Sequence, residues 1–200
     1  MATYNLNTET ARQADGPGYI QVTGKYKGKL TLAKAIESTK GTTGIEFAFE
    51  DESGQKANYL SIWTHKANGE ELSGNRTVNA IMTVTRTKTM SGKPFIVKGK
   101  DGDETVEAYT DLHGKPIGLL LAREPYDKND GSEGNKMVIE GVFDPESELT
   151  ASEILDRKTN PEKLSQMVMR LKDRPKQART NAAPQRTGNA VADLSDDCPF

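Results

Sequence analysis

From Tyr19 to about Phe143 the apolar and polar positions fall into short runs broken by turn residues, which read mainly as strands and turns. Ile45, Phe47 and Phe49 take one face of a strand, the turn cluster Asp51–Gly54 follows, and Tyr59–Trp63 returns, so residues 45–66 read as a hairpin. Upstream, Tyr19, Ile20, Val22, Tyr26, Leu30, Leu32 and Ile36 make one long extended stretch. Gly24 and Gly28 interrupt it, as in a strand that bends around a barrel. Val78, Ile81 and Met82 are spaced for a short helix with Asn75 as its N-cap, while 83–89 reads as strand or loop. Phe95–Val97 and Thr105–Tyr109 predict short strands joined by the turn Asp101-Gly102. Pro116–Ala122 fits a strand or a short buried helix, 127–135 a hydrophilic loop, and Met137–Phe143 a last strand.

Past Phe143 the period changes. Thr150-Ala151-Ser152-Glu153 is a capping box that opens a short helix through Leu155. Asn160-Pro161 reads as the N-cap and first residue of another helix. Its stripe of Leu164, Met167, Val168 and Leu171 is expected to pack on the barrel or on a second subunit. From Arg174 to Ala192 the chain is Pro, Gln, Asn, Thr, Ala and Gly with scattered cations, the composition of a disordered linker. The expectation is a mainly β protein, a small barrel or a sandwich with one or two short helices. Its expected divisions are a loose arm over 1–17, a barrel over 18–157, a C-terminal helix over 158–173, a linker over 174–192 and an acidic tip over 193–200.

Composition agrees that part of the 200 residues stays outside a core: 34% are hydrophobic and mean hydropathy is -0.70. The formal charge of -2 argues weakly against nucleic acid as a partner, but the charge is segregated. The first hundred residues hold 14 basic and 9 acidic side chains, the second hundred 13 and 20. The one cysteine, Cys198, allows no disulfide within the chain and fits a reducing compartment. No signal-peptide pattern opens the sequence and no apolar run reaches membrane-spanning length, so a cytoplasmic protein without a membrane partner is expected.

The basic excess lies in Lys25, Lys27, Lys29, Lys34 and Lys40, then Arg86, Lys88, Lys93, Lys98 and Lys100. The cations expected to contact a phosphate backbone are Lys25, Lys27, Lys29, Lys66, Arg86, Lys88, Lys93, Lys98 and Lys100. Lys25, Lys27 and Lys29 alternate, so they share one strand face that can track a phosphate backbone or simply face water and protect an edge. Non-specific single-strand binders interleave cations with aromatic side chains on which bases stack. Tyr26, Tyr59, Trp63, Phe95 and Tyr109 lie on predicted strands and are the stacking candidates. Tyr59 and Trp63 share a face across Ser61, which suits a stacking platform or a core layer equally. Tyr26 falls on the face opposite Lys25 and Lys27 unless a bulge intervenes.

The end of the chain is the most specific feature. Asp196, Asp197, Pro199 and Phe200 place acidic groups before a proline and a terminal phenylalanine. The ring can fill an apolar pocket while the carboxylates pair with surrounding cations, so this tip is the expected partner-binding element. Asp196-Asp197-Cys198-Pro199-Phe200 resembles the acidic tip of bacterial and phage single-stranded DNA-binding proteins, here with only two adjacent aspartates and a cysteine before the proline. The body is similar to a phage family of such proteins in Gly41-Thr42-Thr43-Gly44-Ile45-Glu46-Phe47, Leu60-Ser61-Ile62-Trp63-Thr64, Gly114-Lys115-Pro116-Ile117-Gly118-Leu119 and Gly141-Val142-Phe143-Asp144. The resemblance implies an OB fold, sequence-independent binding and protection of single-stranded DNA in phage replication or recombination inside a bacterial cell, and recruitment of replication or recombination proteins through the tip.

Nothing points to catalysis or a cofactor. His65, His113 and Cys198 do not make a zinc set, and Asp127, Asn129, Asp130 and Gly131 are misspaced for a calcium loop. No phosphate-binding glycine-lysine loop or nucleophile elbow occurs. The expectation is a non-enzyme without metal or cofactor that binds single-stranded DNA, as a monomer or a homo-oligomer. The alternatives are a protein–protein adaptor of the same barrel type without DNA affinity, and a nuclease with scattered acidic ligands.

Overall fold

The computed structural model describes residues 18–99, 102–128 and 130–176. The expected arm over 1–17, Lys100 and the acidic tip with Asp196, Asp197, Pro199 and Phe200 lie outside them. The fold is mainly β: seven antiparallel strands with three short α-helices and one 3-10 turn, Thr110–Leu112, among the described residues. The strands are β1 (Gly24–Glu37), β2 (Thr43–Asp51), β3 (Lys56–His65), β4 (Lys93–Gly99), β5 (Gly102–Ala108), β6 (Pro116–Asp127) and β7 (Glu133–Phe143). The helices are α1 (Gly74–Val84), α2 (Ala151–Leu155) and α3 (Lys163–Arg170).

Five strands form a small, β-barrel-like body in the order β3-β2-β1-β6-β7, with α1 following the third of them in the chain. That connectivity is the one expected of an OB-type barrel. β1 is the shared strand. Its first half pairs with β6, from Gly24↔Leu121 to Lys29↔Pro116, and its second half with β2. A bulge between Leu30 and Leu32 bends it between the two. Gly28 sits at the bend because a Cβ there would collide with the Glu50 carbonyl. The β4–β5 hairpin is an addition to this body, joined to β1 only at Lys34↔Ala108.

The core is built from alternate residues of every barrel strand, including Leu30, Phe47, Phe49, Leu60, Ile117, Leu119 and Leu121. Val78, Ile81 and Val84 of α1 plug it. A second, smaller cluster explains the ambiguous run in β6. Leu120 points outward, where it meets Phe143 and Leu164, with Met167 and Leu171 of the C-terminal helix region against them. β6 is therefore apolar on both faces, and periodicity could not separate it from a buried helix.

The structure also moves several expected boundaries. α1 takes Ser73, not Asn75, as its N-cap residue. β7 begins at Glu133 and β6 runs to Asp127, so both ends of the expected hydrophilic loop are strand. α3 begins at Lys163, beyond the Asn160-Pro161 signal. Its first free amides are satisfied by Glu153, whose Oε1 accepts from the N–H of Glu162 (2.8 Å) and of Lys163 (2.9 Å). The same carboxylate caps α2, Oε2 accepting from the Thr150 N–H (2.8 Å) and hydroxyl (2.7 Å). Burial alone would push this carboxyl up, but these hydrogen bonds hold it at about 2.

Beyond α3 the chain crosses the outside of β6 and β7 as a strap. Asp173 binds Arg123, and the Arg174 N–H donates to the Arg123 carbonyl (2.8 Å). The Arg174 guanidinium reaches Glu140 and the buried Glu124, and Lys176 reaches Asp127 and Glu133. The attachment thus extends into the stretch expected to be linker.

Candidate nucleic-acid interface

The site begins with a defect in β3. Phe47 pairs with Leu60 and Phe49 with Ala57, so Asn58 and Tyr59 together oppose the single residue Ala48. This bulge places Tyr59 at φ 60, left-handed backbone that costs a non-glycine residue about 1 kcal/mol. The side chain it re-aims is 74% exposed. From there alternation is regular: Leu60, Ile62 and Thr64 point inward, while Tyr59, Ser61 and Trp63 point outward. Trp63 remains 38% exposed.

Two further tyrosines extend this row. Residues 18–20 run beside the start of β3, with the Ile20 N–H donating to the Lys56 carbonyl (2.9 Å) and the Lys56 N–H to Gly18 (3.1 Å). Tyr19 is thereby held at the seam between β3 and β7, where no backbone ladder joins the two strands among the described residues. From the other side comes Tyr126 of β6. Its ring rests on Gly134 of β7, where a Cβ would lie 2.7 Å from Cζ. Tyr19, Tyr59 and Tyr126 line an open groove of about 840 Å³ with Lys56, Lys128 and Lys136, and Asn58, Ser61 and Asn135 supply polar groups. Sequence reasoning missed Tyr19, Tyr126, Lys56, Lys128 and Lys136. The available signal was the same-face spacing of Glu124 and Tyr126 at the end of β6, which the continuous apolar run before them masks.

The aromatic candidates divide. Tyr59 and Trp63 stand on the open face. Tyr26 does not join them: its ring packs against the core and its hydroxyl donates to the Val22 carbonyl (2.7 Å). Burial, then the charge of Asp51, raises its pKa. Tyr109 is likewise half-buried against the core, its pKa raised by burial and then by Glu107. It lines a different cleft with Glu37, His65 and Glu107. Phe95, on the hairpin, meets His113 edge to face at 5.0 Å. His113 Nε2 accepts the Ala33 N–H (3.2 Å), and burial lowers its pKa.

The cations divide as well. Lys25 and Lys27 share a face as expected, but both bind Glu148, at 2.9 and 2.8 Å, and hydrogen bonds from Lys27 and then Lys25 lower that carboxyl's pKa. Lys29 pairs with Glu50 (3.2 Å), Lys66 with Glu70 (2.9 Å), and Arg86 stands 3.8 Å from Asp144. Lys88, Lys93 and Lys98 have no ion-pair partner among the described residues, and neither has Lys56. Lys136 binds Glu124 (2.8 Å). The outer face of β1–β2–β3 is therefore an alternation of charge. One cross-strand row is Lys29–Glu50–Lys56 and another Lys34–Glu46–Ser61.

Among the described residues no group of three His, Cys, Asp or Glu side chains is placed to hold a metal ion. None of their helices is long and apolar enough to cross a membrane. No protein-family profile matches the chain, and no curated protein matches it.

Proposed function

We propose that this chain binds single-stranded DNA without sequence preference, with bases stacked along the seam of the barrel. The observation that carries this is the row of exposed aromatics, Tyr59 and Trp63 on β3, Tyr126 on β6 and Tyr19 bridged to the start of β3, of which the three tyrosines share a groove with Lys56, Lys128 and Lys136. Large aromatic rings left in water are an expense unless a flat ligand covers them, and every base offers a π-face. A strand position held at φ 60 to aim one of these rings adds to the case. The tip residues Asp196, Asp197, Pro199 and Phe200 then recruit proteins of phage DNA replication or recombination, as the resemblance of the chain's end implies. The chain performs no chemistry on the strand.

The test is fluorescence anisotropy of labelled oligo-dT against a duplex of equal length, at low and high salt with chelator present. Preference for the single strand, weakened by salt and reduced by Trp63→Ala, supports the proposal. Absence of binding at low salt discards it in favour of a protein–protein adaptor, the reading favoured by the internal pairing of Lys25, Lys27 and Lys29. Loss of oligonucleotide that stops with chelator would instead mean a nuclease.

A further inference from the structure

The β4–β5 hairpin leaves an edge that nothing covers among the described residues. β4 ends the strand order β3-β2-β1-β5-β4. It carries Phe95-Ile96-Val97 between Lys93 and Lys98, and Ile96 is 64% exposed. Which backbone groups face outward follows from register. The hairpin pairs Gly99 with Gly102 across a two-residue connection, and such a connection closes on a hydrogen-bonded pair. Hydrogen-bonded and non-hydrogen-bonded pairs alternate from there. Val97, Phe95 and Lys93 therefore bond to β5, while Lys98, Ile96 and Pro94 turn their backbone groups away from it. Pro94 demands the same parity independently, since its nitrogen has no hydrogen to give to β5.

We propose that this edge pairs with the same edge of a second copy of the chain, β4 antiparallel to β4 about a two-fold axis at Ile96. The register is self-complementary. Ile96 exchanges both hydrogen bonds with its own copy, and each Lys98 N–H donates to the partner's Pro94 carbonyl, about four bonds in all. On one face, Phe95 lies opposite Val97 of the partner subunit and beside Val106 of its own β5. Three apolar side chains from each copy thus meet in one stripe. On the other face, Lys98 has Asp103 across its own hairpin and, beyond the small ring of Pro94 of the partner subunit, Glu107 of the partner subunit. Each lysine stands between two carboxylates, one from each copy. A register displaced by two residues in either direction would lose this charge match.

The contact is small beside the ~1,200–2,000 Å² of a stable interface, so association should depend on concentration, with monomer at low and dimer at high micromolar levels. Sedimentation velocity of the full-length chain across that range reads it directly. Ile96→Lys places two ammonium groups at the axis and should abolish the dimer with the circular dichroism spectrum unchanged. Cross-linking tests the register. In a Cys198→Ser background, Ile96→Cys puts two thiols on a hydrogen-bonded pair, with Cα atoms ~5.5 Å apart, within disulfide range. It should give a covalent dimer on mild oxidation. Lys98→Cys, whose copies lie ~14 Å apart in this register, should not. A chain that stays monomeric throughout, a dimer that survives Ile96→Lys, or equal cross-linking at positions 96 and 98 would overturn the proposal.

Discussion

Tyr59 shows how much one backbone angle can decide. At φ 60 it occupies a conformation that asparagine tolerates better than most residues, and its side chain contributes little to the core at 74% exposure. Tyr59→Asn should therefore keep stability within about 1 kcal/mol of the parent in urea unfolding. The same variant should weaken single-strand binding by about 1–3 kcal/mol, the worth of one stacked base, in the anisotropy titration. A variant that loses stability instead would make Tyr59 a structural residue. At this scale the sequence was only half legible. Alternation assigned Tyr59 and Trp63 to one face and separated Tyr26 from Lys25 and Lys27, and the structure keeps both relations. Alternation carries no sign, however: it says which residues share a face and not which face is core. It is also blind to a bulge, which adds a residue without changing the residues on either side.

At the scale of elements, the end of the domain hangs on Glu153. One buried carboxylate satisfies the start of both α2 and α3, so Glu153→Ala leaves several amide donors without a partner. The cost should be about 3 kcal/mol in urea unfolding at neutral pH. Its pKa is depressed to about 2 from 4.5, so the stabilisation is present above about pH 4.5 and is lost as pH falls toward 2. The gap between parent and variant should accordingly narrow in unfolding curves at pH 3. The capping box itself was readable, because Thr150 and Glu153 lie three residues apart in sequence. The second use of Glu153 was not, since Asn160-Pro161 offers a stronger local signal and the long-range carboxylate displaces it. The stripe of Leu164, Met167 and Leu171 was readable and packs on the barrel, whereas Val168 stays 39% exposed.

For the whole molecule, the barrel was visible in its many short strands, in the glycine-broken β1 and in the change of period after Phe143. The open seam was not, since it is set by strands far apart in sequence. The charge balance also changes meaning. Nine cations were candidates for phosphate contact, but Lys25, Lys27, Lys29 and Lys66 already hold carboxylates. The dependence of affinity on salt should then correspond to about three to five released counterions rather than nine, read as the slope of log K against log salt. Deleting residues 193–200 should leave that slope and the thermal midpoint unchanged while abolishing capture of a partner protein in pull-downs. A collapse of DNA binding on deletion would show that tip and barrel do not divide the labour.

The rows Lys29–Glu50–Lys56 and Lys34–Glu46–Ser61 have one more effect on the proposed activity. A lysine that leaves its glutamate for a phosphate frees an anion beside the incoming chain. A ligand with dense, evenly spaced phosphates meets that repulsion at every step and has its base faces hidden in the stack. A ligand with loosely spaced phosphates and splayed bases can thread its charges past Glu46 and Glu50 while its rings settle on the tyrosines. Preference for one strand over two is then a matter of rejection as much as attraction, written into the barrel by its own carboxylates.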